Sequence, residues 1–248
     1  MLLFIISIAI QVAFIIHVIK TGRNTLWIWV LIIPGLSLVG MIAYLFVEVL
    51  PEVMRSRAAQ RTARGVKKAL DPEADLRRYE NEARVTANVA SRQRYAEELV
   101  RHERFADAIG VYRQVLTGLY EHDPNLMLGL ARAQFGAGDA TAARATLDEL
   151  IRLNPDFRSP DGHLLYARAL EAEGNVEKAL EEYRVLAPGY PGAEAAVRFA
   201  QLLKAQGKSA EAAKVAKELL EQARIAPAHY RRAQRSWLDT AERLSTGR

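Results

Sequence analysis

The residues with the widest chemical reach in this 248-residue chain are its five histidines, His17, His102, His122, His163 and His229. No two stand at helical spacing, so no helix face carries a histidine pair able to grip a metal ion. Cysteine is absent, which removes thiolate zinc sites, iron–sulfur clusters, disulfides and cysteine nucleophiles. Gly136-Ala137-Gly138 does not extend into a phosphate-cradling loop. Lys20-Thr21-Gly22 has no Ser-x-x-Lys to complete a penicillin-binding serine site, and there is no Gly-x-Ser-x-Gly elbow. The residue types therefore predict no catalytic centre, no metal and no cofactor. What they leave is recognition by charged and apolar side chains.

The location of the charge narrows the partner. The net charge is +5, but residues 1–70 hold eight of the 34 basic residues and only two of the 29 acidic ones. That leaves 26 basic and 27 acidic residues over 71–248, a nearly neutral balance. A nucleic-acid face would carry its excess in the folded part. Here the excess lies in and beside an apolar N-terminus, which fits a membrane protein and argues against nucleic acid.

Leu2–Ile19 carries no charge, and Thr25–Leu50 carries only Glu48. Each stretch is long enough to span a hydrocarbon core of roughly 30 Å. The turn between them is five residues, too short for anything but an antiparallel pair, and no small-residue cleavage site follows the first. Residues 1–50 thus read as a two-helix transmembrane hairpin, with Trp27 and Trp29 at headgroup level. Lys20 and Arg23 lie in the turn, whereas Arg55, Arg57, Arg61, Arg64, Lys67 and Lys68 follow the second helix. The side richer in Lys and Arg is expected to be cytoplasmic. Those six residues are expected against anionic lipid headgroups, each contributing about 1 kcal/mol. The run Ile19-Lys20, Arg23, Leu26-Trp27, Leu31-Ile32-Ile33-Pro34-Gly35-Leu36, Val39-Gly40 and Ile42-Ala43-Tyr44-Leu45-Phe46 resembles the two-helix N-terminal domain of bacterial cardiolipin synthases and related phospholipase D-type membrane proteins. The resemblance implies a membrane anchor, with Pro34 displaced from the family pattern. It does not bring the chemistry, because catalysis there needs His-x-Lys. The residues two beyond the five histidines are Ile19, Arg104, Pro124, Leu165 and Arg231.

Residues 51–85 read as a basic juxtamembrane linker and a connecting helix that starts at Asp71-Pro72-Glu73, an acid-proline helix opening. Beyond it the chain repeats. Ala108, Ala143, Ala179 and Ala212 lie 35, 36 and 33 residues apart. Twelve residues before each stands another alanine, Ala96, Ala131, Ala167 and Ala200, and seven after each stands Val115, Leu150, Leu186 and Leu219. Gly138, Gly174 and Gly207 precede three of the four alanines by five residues, with Glu103 in the corresponding place of the first unit. The pattern resembles the tetratricopeptide repeat, a helix–turn–helix unit of about 34 residues. The small residues allow helix A and helix B to approach closely. The glycines end helix A in the left-handed conformation that glycine tolerates. Four such units over 86–226, closed by a capping helix and tail over 227–248 with Trp237, Leu238, Ala241 and Leu244 on one stripe, complete the expectation. The fold class is all-α: an N-terminal transmembrane hairpin followed by an α-solenoid.

The resemblance implies that the A helices line the inner face of the stack. By repeat position that face includes Arg94 and Glu97, then Leu128, Arg132 and Phe135, then Leu164, Leu165, Arg168 and Glu171, then Val197, Arg198, Gln201 and Lys204. Arg132 and Arg168 occupy the same position in adjacent units, and Gln201 continues the row. Two readings follow: a basic groove for an acidic peptide or a C-terminal carboxylate, or arginines paired with neighbouring acids. Gln93 and Glu97 stand where the family's carboxylate clamp uses Lys and Asn, so that clamp is not expected. The expected protein is a two-pass scaffold of the bacterial inner membrane, its repeats cytoplasmic and holding a protein or peptide partner. The hairpin resemblance points toward envelope or lipid assembly. The alternative is an assembly chaperone with the same repeats outside the cytoplasm.

Overall fold

The computed structural model describes residues 71–246, together with Ile16 and Lys20. The expected hairpin over 1–50 and the basic residues from Arg55 to Lys68 lie outside the described residues. Asp75–Arg248 forms one compact unit. All regular elements among the described residues are helical, and none is long and apolar enough to cross a membrane.

The helices are α1 (Ala74–Thr86), α2 (Val89–Arg101), α3 (Phe105–Val115), α4 (Pro124–Gly136), α5 (Ala140–Leu153), α6 (Pro160–Ala172), α7 (Val176–Leu186), α8 (Glu194–Ala205), α9 (Ser209–Ile225), α10 (Ala228–Ala233) and α11 (Arg235–Ser245). They pair as expected, α2 with α3, α4 with α5, α6 with α7 and α8 with α9. Starts are set by local chemistry. Asn88, Asp123, Asp139 and Ser159 each accept a hydrogen bond from a backbone N–H of the following turn, and Pro124 and Pro160 open their helices.

All eight repeat alanines are buried, each at 0–1% exposure. Small residues at these positions let helix A and helix B pack closely. The four A-to-B turns are one motif. The N–H of Arg104, Asp139, Asn175 and Lys208 donates to the carbonyl of Leu99, Gln134, Leu170 and Leu203, at 2.9–3.0 Å. The residue before each donor has positive φ: 86° at Gly138, 77° at Gly174, 76° at Gly207 and 58° at Glu103. Glu103 thus does in the first unit what glycine does in the others, with a β-carbon in the way. Glu103→Gly is expected to raise stability by about 0.5–1 kcal/mol, and Gly174→Ala to lower it by about 1 kcal/mol. Urea unfolding followed by circular dichroism measures both.

Two glycines inside helices have opposite roles. An added β-carbon at Gly129 in α4 would lie 2.5 Å from the ring of Tyr112 in α3, and that tyrosine is buried and cannot swing away. At Gly110 in α3 nothing lies within 4 Å. Gly110→Ala should stabilise by about 0.5–1 kcal/mol through helix propensity, whereas Gly129→Ala should cost about 1–3 kcal/mol by overpacking. Equal signs in a thermal melt would contradict this packing between the first and second units.

Two boundaries differ from expectation. Leu76 of α1 is buried in the core with Ala96, Leu99 and Ala108, and Glu82 pairs with Arg94 of α2 at 2.8 Å. The compact stack therefore begins near residue 75 rather than 86. The expected capping helix is two helices, α10 and α11. It breaks where Gln234, the cap between them, turns its Oε1 to accept the Ala193 N–H at 3.1 Å. Trp237, Leu238, Ala241 and Leu244 lie on α11 and cover the core of the last unit, as the stripe predicted.

Candidate functional site

Helices α2, α4, α6 and α8 are the A helices of the stack, and the last three carry arginines close to carboxylates. Arg132 projects from α4, Arg168 from α6 and Arg198 from α8. Each has a carboxylate nearby. Arg132 Nη2 stands 3.7 Å from Asp161 Oδ2 in the first turn of α6. Arg168 Nη1 stands 3.7 Å from Glu194 Oε1 in the first turn of α8. The pattern is the same twice: an arginine of one A helix reaches an acid at the start of the next. Arg198 takes Glu194 at 2.7 Å from its own helix and Glu171 of α6 at 4.0 Å. The three arginines are thus paired with acids, and Arg168 and Arg198 are half-buried. Arg132 remains half exposed, at 47%.

Aromatic groups hold the row in place. The Arg168 guanidinium lies over the Phe135 ring, 4.8 Å from its centre, and the Arg198 guanidinium over Trp237 of α11 at 5.5 Å. Arg168 Nε is enclosed without a hydrogen-bond partner. Tyr183 donates its hydroxyl proton to Glu171 at 2.6 Å, and Tyr190 donates to Asp161 at 3.1 Å. Burial, reinforced by the bond to Asp161, pushes the Tyr190 phenol up to about 12. Both tyrosines therefore stay protonated donors near neutral pH and help orient the acids that face the arginines.

Other expected residues fall into place unevenly. Gln201 and Lys204 are exposed on α8. Arg94 is on the same series of helices but pairs outward, with α1. Leu164 is a correction. It is 5% exposed and belongs to the core with Leu170 and Tyr183, so it cannot line a groove. Leu128, Leu165 and Val197 are buried likewise. Repeat position alone counts these residues as lining, but an apolar side chain on a helix wedged between neighbours turns inward. Asp161, Glu194 and Trp237 belong to the face without being expected there. An acid in the first turn of the next A helix, 29 residues after Arg132 and 26 after Arg168, was the available signal. Among the described residues no group of three or more metal-ligating side chains is placed to hold an ion.

Comparison with known proteins agrees with this geometry. The tetratricopeptide repeat family model matches residues 99–167. No curated protein is significantly similar to the chain. Among solved structures, MamA shares 21% identity over 64% of this chain and 93% of its own, with a TM-score of 0.53. A MamA fragment from Desulfovibrio magneticus RS-1 gives 15%, 66%, 93% and 0.55. A thermophilic tetratricopeptide protein of Thermus thermophilus gives 17%, 75%, 95% and 0.52. At these identities the likeness concerns the fold. The four alanine pairs, the four identical turns, the family match and these neighbours together make the described part of the chain an all-α solenoid of tetratricopeptide-like fold.

Proposed function

We propose that this protein is a membrane-anchored interaction scaffold whose A-helix face holds an acidic peptide segment of a protein partner. The observation that carries the reading is the pair Arg132 and Arg168, at the same position of adjacent units and each no nearer than 3.7 Å to its carboxylate, with Arg198 beside them. A partly exposed ion pair at 3.7 Å contributes little, about 0–1 kcal/mol. A partner carboxylate can therefore replace Asp161 or Glu194 at small cost, and gains a bidentate guanidinium that Phe135 already orients. Gln201 and Lys204 extend the row with further donors.

The anchor rests on the sequence: two apolar stretches in 1–50, a cluster of Arg and Lys behind them, and the resemblance to the cardiolipin synthase hairpin. These support a two-pass protein of the bacterial inner membrane with cytoplasmic repeats, working in envelope or lipid assembly. The test uses full-length protein purified in detergent and a library of peptides with free C-termini. Selection of acidic peptides whose binding weakens with salt supports the reading. Selection of basic or uncharged peptides on this face rejects it. Release of the protein from membranes by alkaline carbonate rejects the anchor alone.

A further inference from the structure

Helices α5 and α7 both pack against α6. Between them lies a cleft of about 600 Å³, floored by α6 and reaching the loop at Phe157. That volume suits a large side chain and its neighbours. Its rim holds Ile151 of α5 and Val185 of α7, exposed at 54% and 73%. Both belong to helices whose other large apolar residues are mostly buried. Leu147 and Leu186 continue the apolar wall inward.

The two walls carry the same order of chemistry. Asp148 stands three residues before Ile151, and Glu182 three residues before Val185. Three residues advance a helix by about 4.5 Å. The cleft therefore has a carboxylate level and, about one turn further on, an apolar level. The carboxylate level is under-neutralised. Arg144 is shared between Asp148 at 2.6 Å and Glu173 at 2.7 Å. Glu182 faces His163 Nε2 at 2.6 Å. Asp148 also accepts from the Tyr166 hydroxyl at 2.9 Å. The two lining carboxylates, with Glu173 beyond them, thus meet one arginine, Arg144, and the His163 ring. Arg158, the arginine that lines the cleft, turns its Nη1 to the carbonyl of Pro155 at 2.5 Å.

We propose that the cleft between α5 and α7 is a second recognition site, for a partner peptide that places a Lys or Arg about one helical turn from a bulky apolar side chain. The apolar group fills the space between Ile151 and Val185, and the cation completes the carboxylate level at Glu182 and Asp148. The site is independent of the arginine row, which selects the opposite charge.

The test selects a randomised library of 14-residue helical peptides on full-length protein in nanodiscs. Selected peptides are measured by fluorescence anisotropy. The expected winners carry Leu, Ile or Phe three or four residues from Lys or Arg. Their affinity should fall at least tenfold with Val185→Ser plus Ile151→Ser, and about threefold to tenfold with Glu182→Gln. Both rim residues are exposed, so the variants should keep the parent's circular dichroism and melting curve. An acidic peptide held by the arginine row should bind alongside a winner without competition. Three results overturn the proposal: no selected peptide shows the pattern, the rim variants bind it as well as the parent, or replacing its Lys or Arg with Glu leaves affinity unchanged. None of these bears on the acidic-peptide reading, whose failure shows in its own selection.

Discussion

Replacing Tyr183 with alanine is expected to cost about 3–5 kcal/mol of stability, the range for removing a large buried aromatic. Tyr183 is wholly buried, in the core that joins α6 and α7 to α8 and α9. Its ring touches the packed interior while its hydroxyl donates to Glu171 at 2.6 Å. Burial raises its phenol pKa, so the donor is present throughout the neutral range. Tyr183→Phe separates the two contributions. It keeps the ring, loses one hydrogen bond to a carboxylate that stays partly hydrated, and should cost about 1 kcal/mol. Because repeat arrays are held by contacts between neighbours, the alanine variant should also lose amide protection in α6–α8 before α2–α4. Urea titration with hydrogen exchange measures both. A loss below about 1 kcal/mol for the alanine variant would contradict the packing described.

The second large effect concerns binding. Arg132→Glu together with Arg168→Glu should lower affinity for an acidic peptide at least tenfold, or about 1.4 kcal/mol. It places two carboxylates where two guanidinium groups now face the same surface. The fold should survive. Both native ion pairs are long, at 3.7 Å, and pairs of this kind contribute little to stability. The variant should also lose most of the salt dependence shown by the parent. Anisotropy titrations at two salt concentrations, with a melting curve as control, decide the matter. Unchanged affinity would remove the arginine row from the binding site.

Much of the solenoid was legible because its constraints are local and periodic. A small residue must recur wherever two helices touch, and Ala143 and Ala179 announce this at a fixed interval. Glycine must recur wherever a helix turns through positive φ, and Gly138, Gly174 and Gly207 do. Glu103 shows the limit. It makes the same turn against its own preference, because the surrounding hydrogen bonds over-determine the backbone. The break at Gln234 was not legible either, since no proline or glycine marks it. It arises from a side-chain bond to Ala193, 41 residues away. The arginines could be placed by position, but their partners could not. Asp161 and Glu194 reach the row from the following unit across loops of unequal length. Leu164 failed for a related reason: repeat position gives a place on the helix, and only packing says which way the side chain turns.

The most direct test of recognition by the A-helix face places a photo-activatable phenylalanine analogue at Gln201, exposed on α8, or at Glu218, exposed on α9. The full-length protein is irradiated in intact cells. The prediction is a discrete cross-linked protein from Gln201 that disappears with Arg132→Glu plus Arg168→Glu, and none from Glu218. Equal cross-linking from both positions, or a Gln201 product indifferent to the charge reversal, would contradict it.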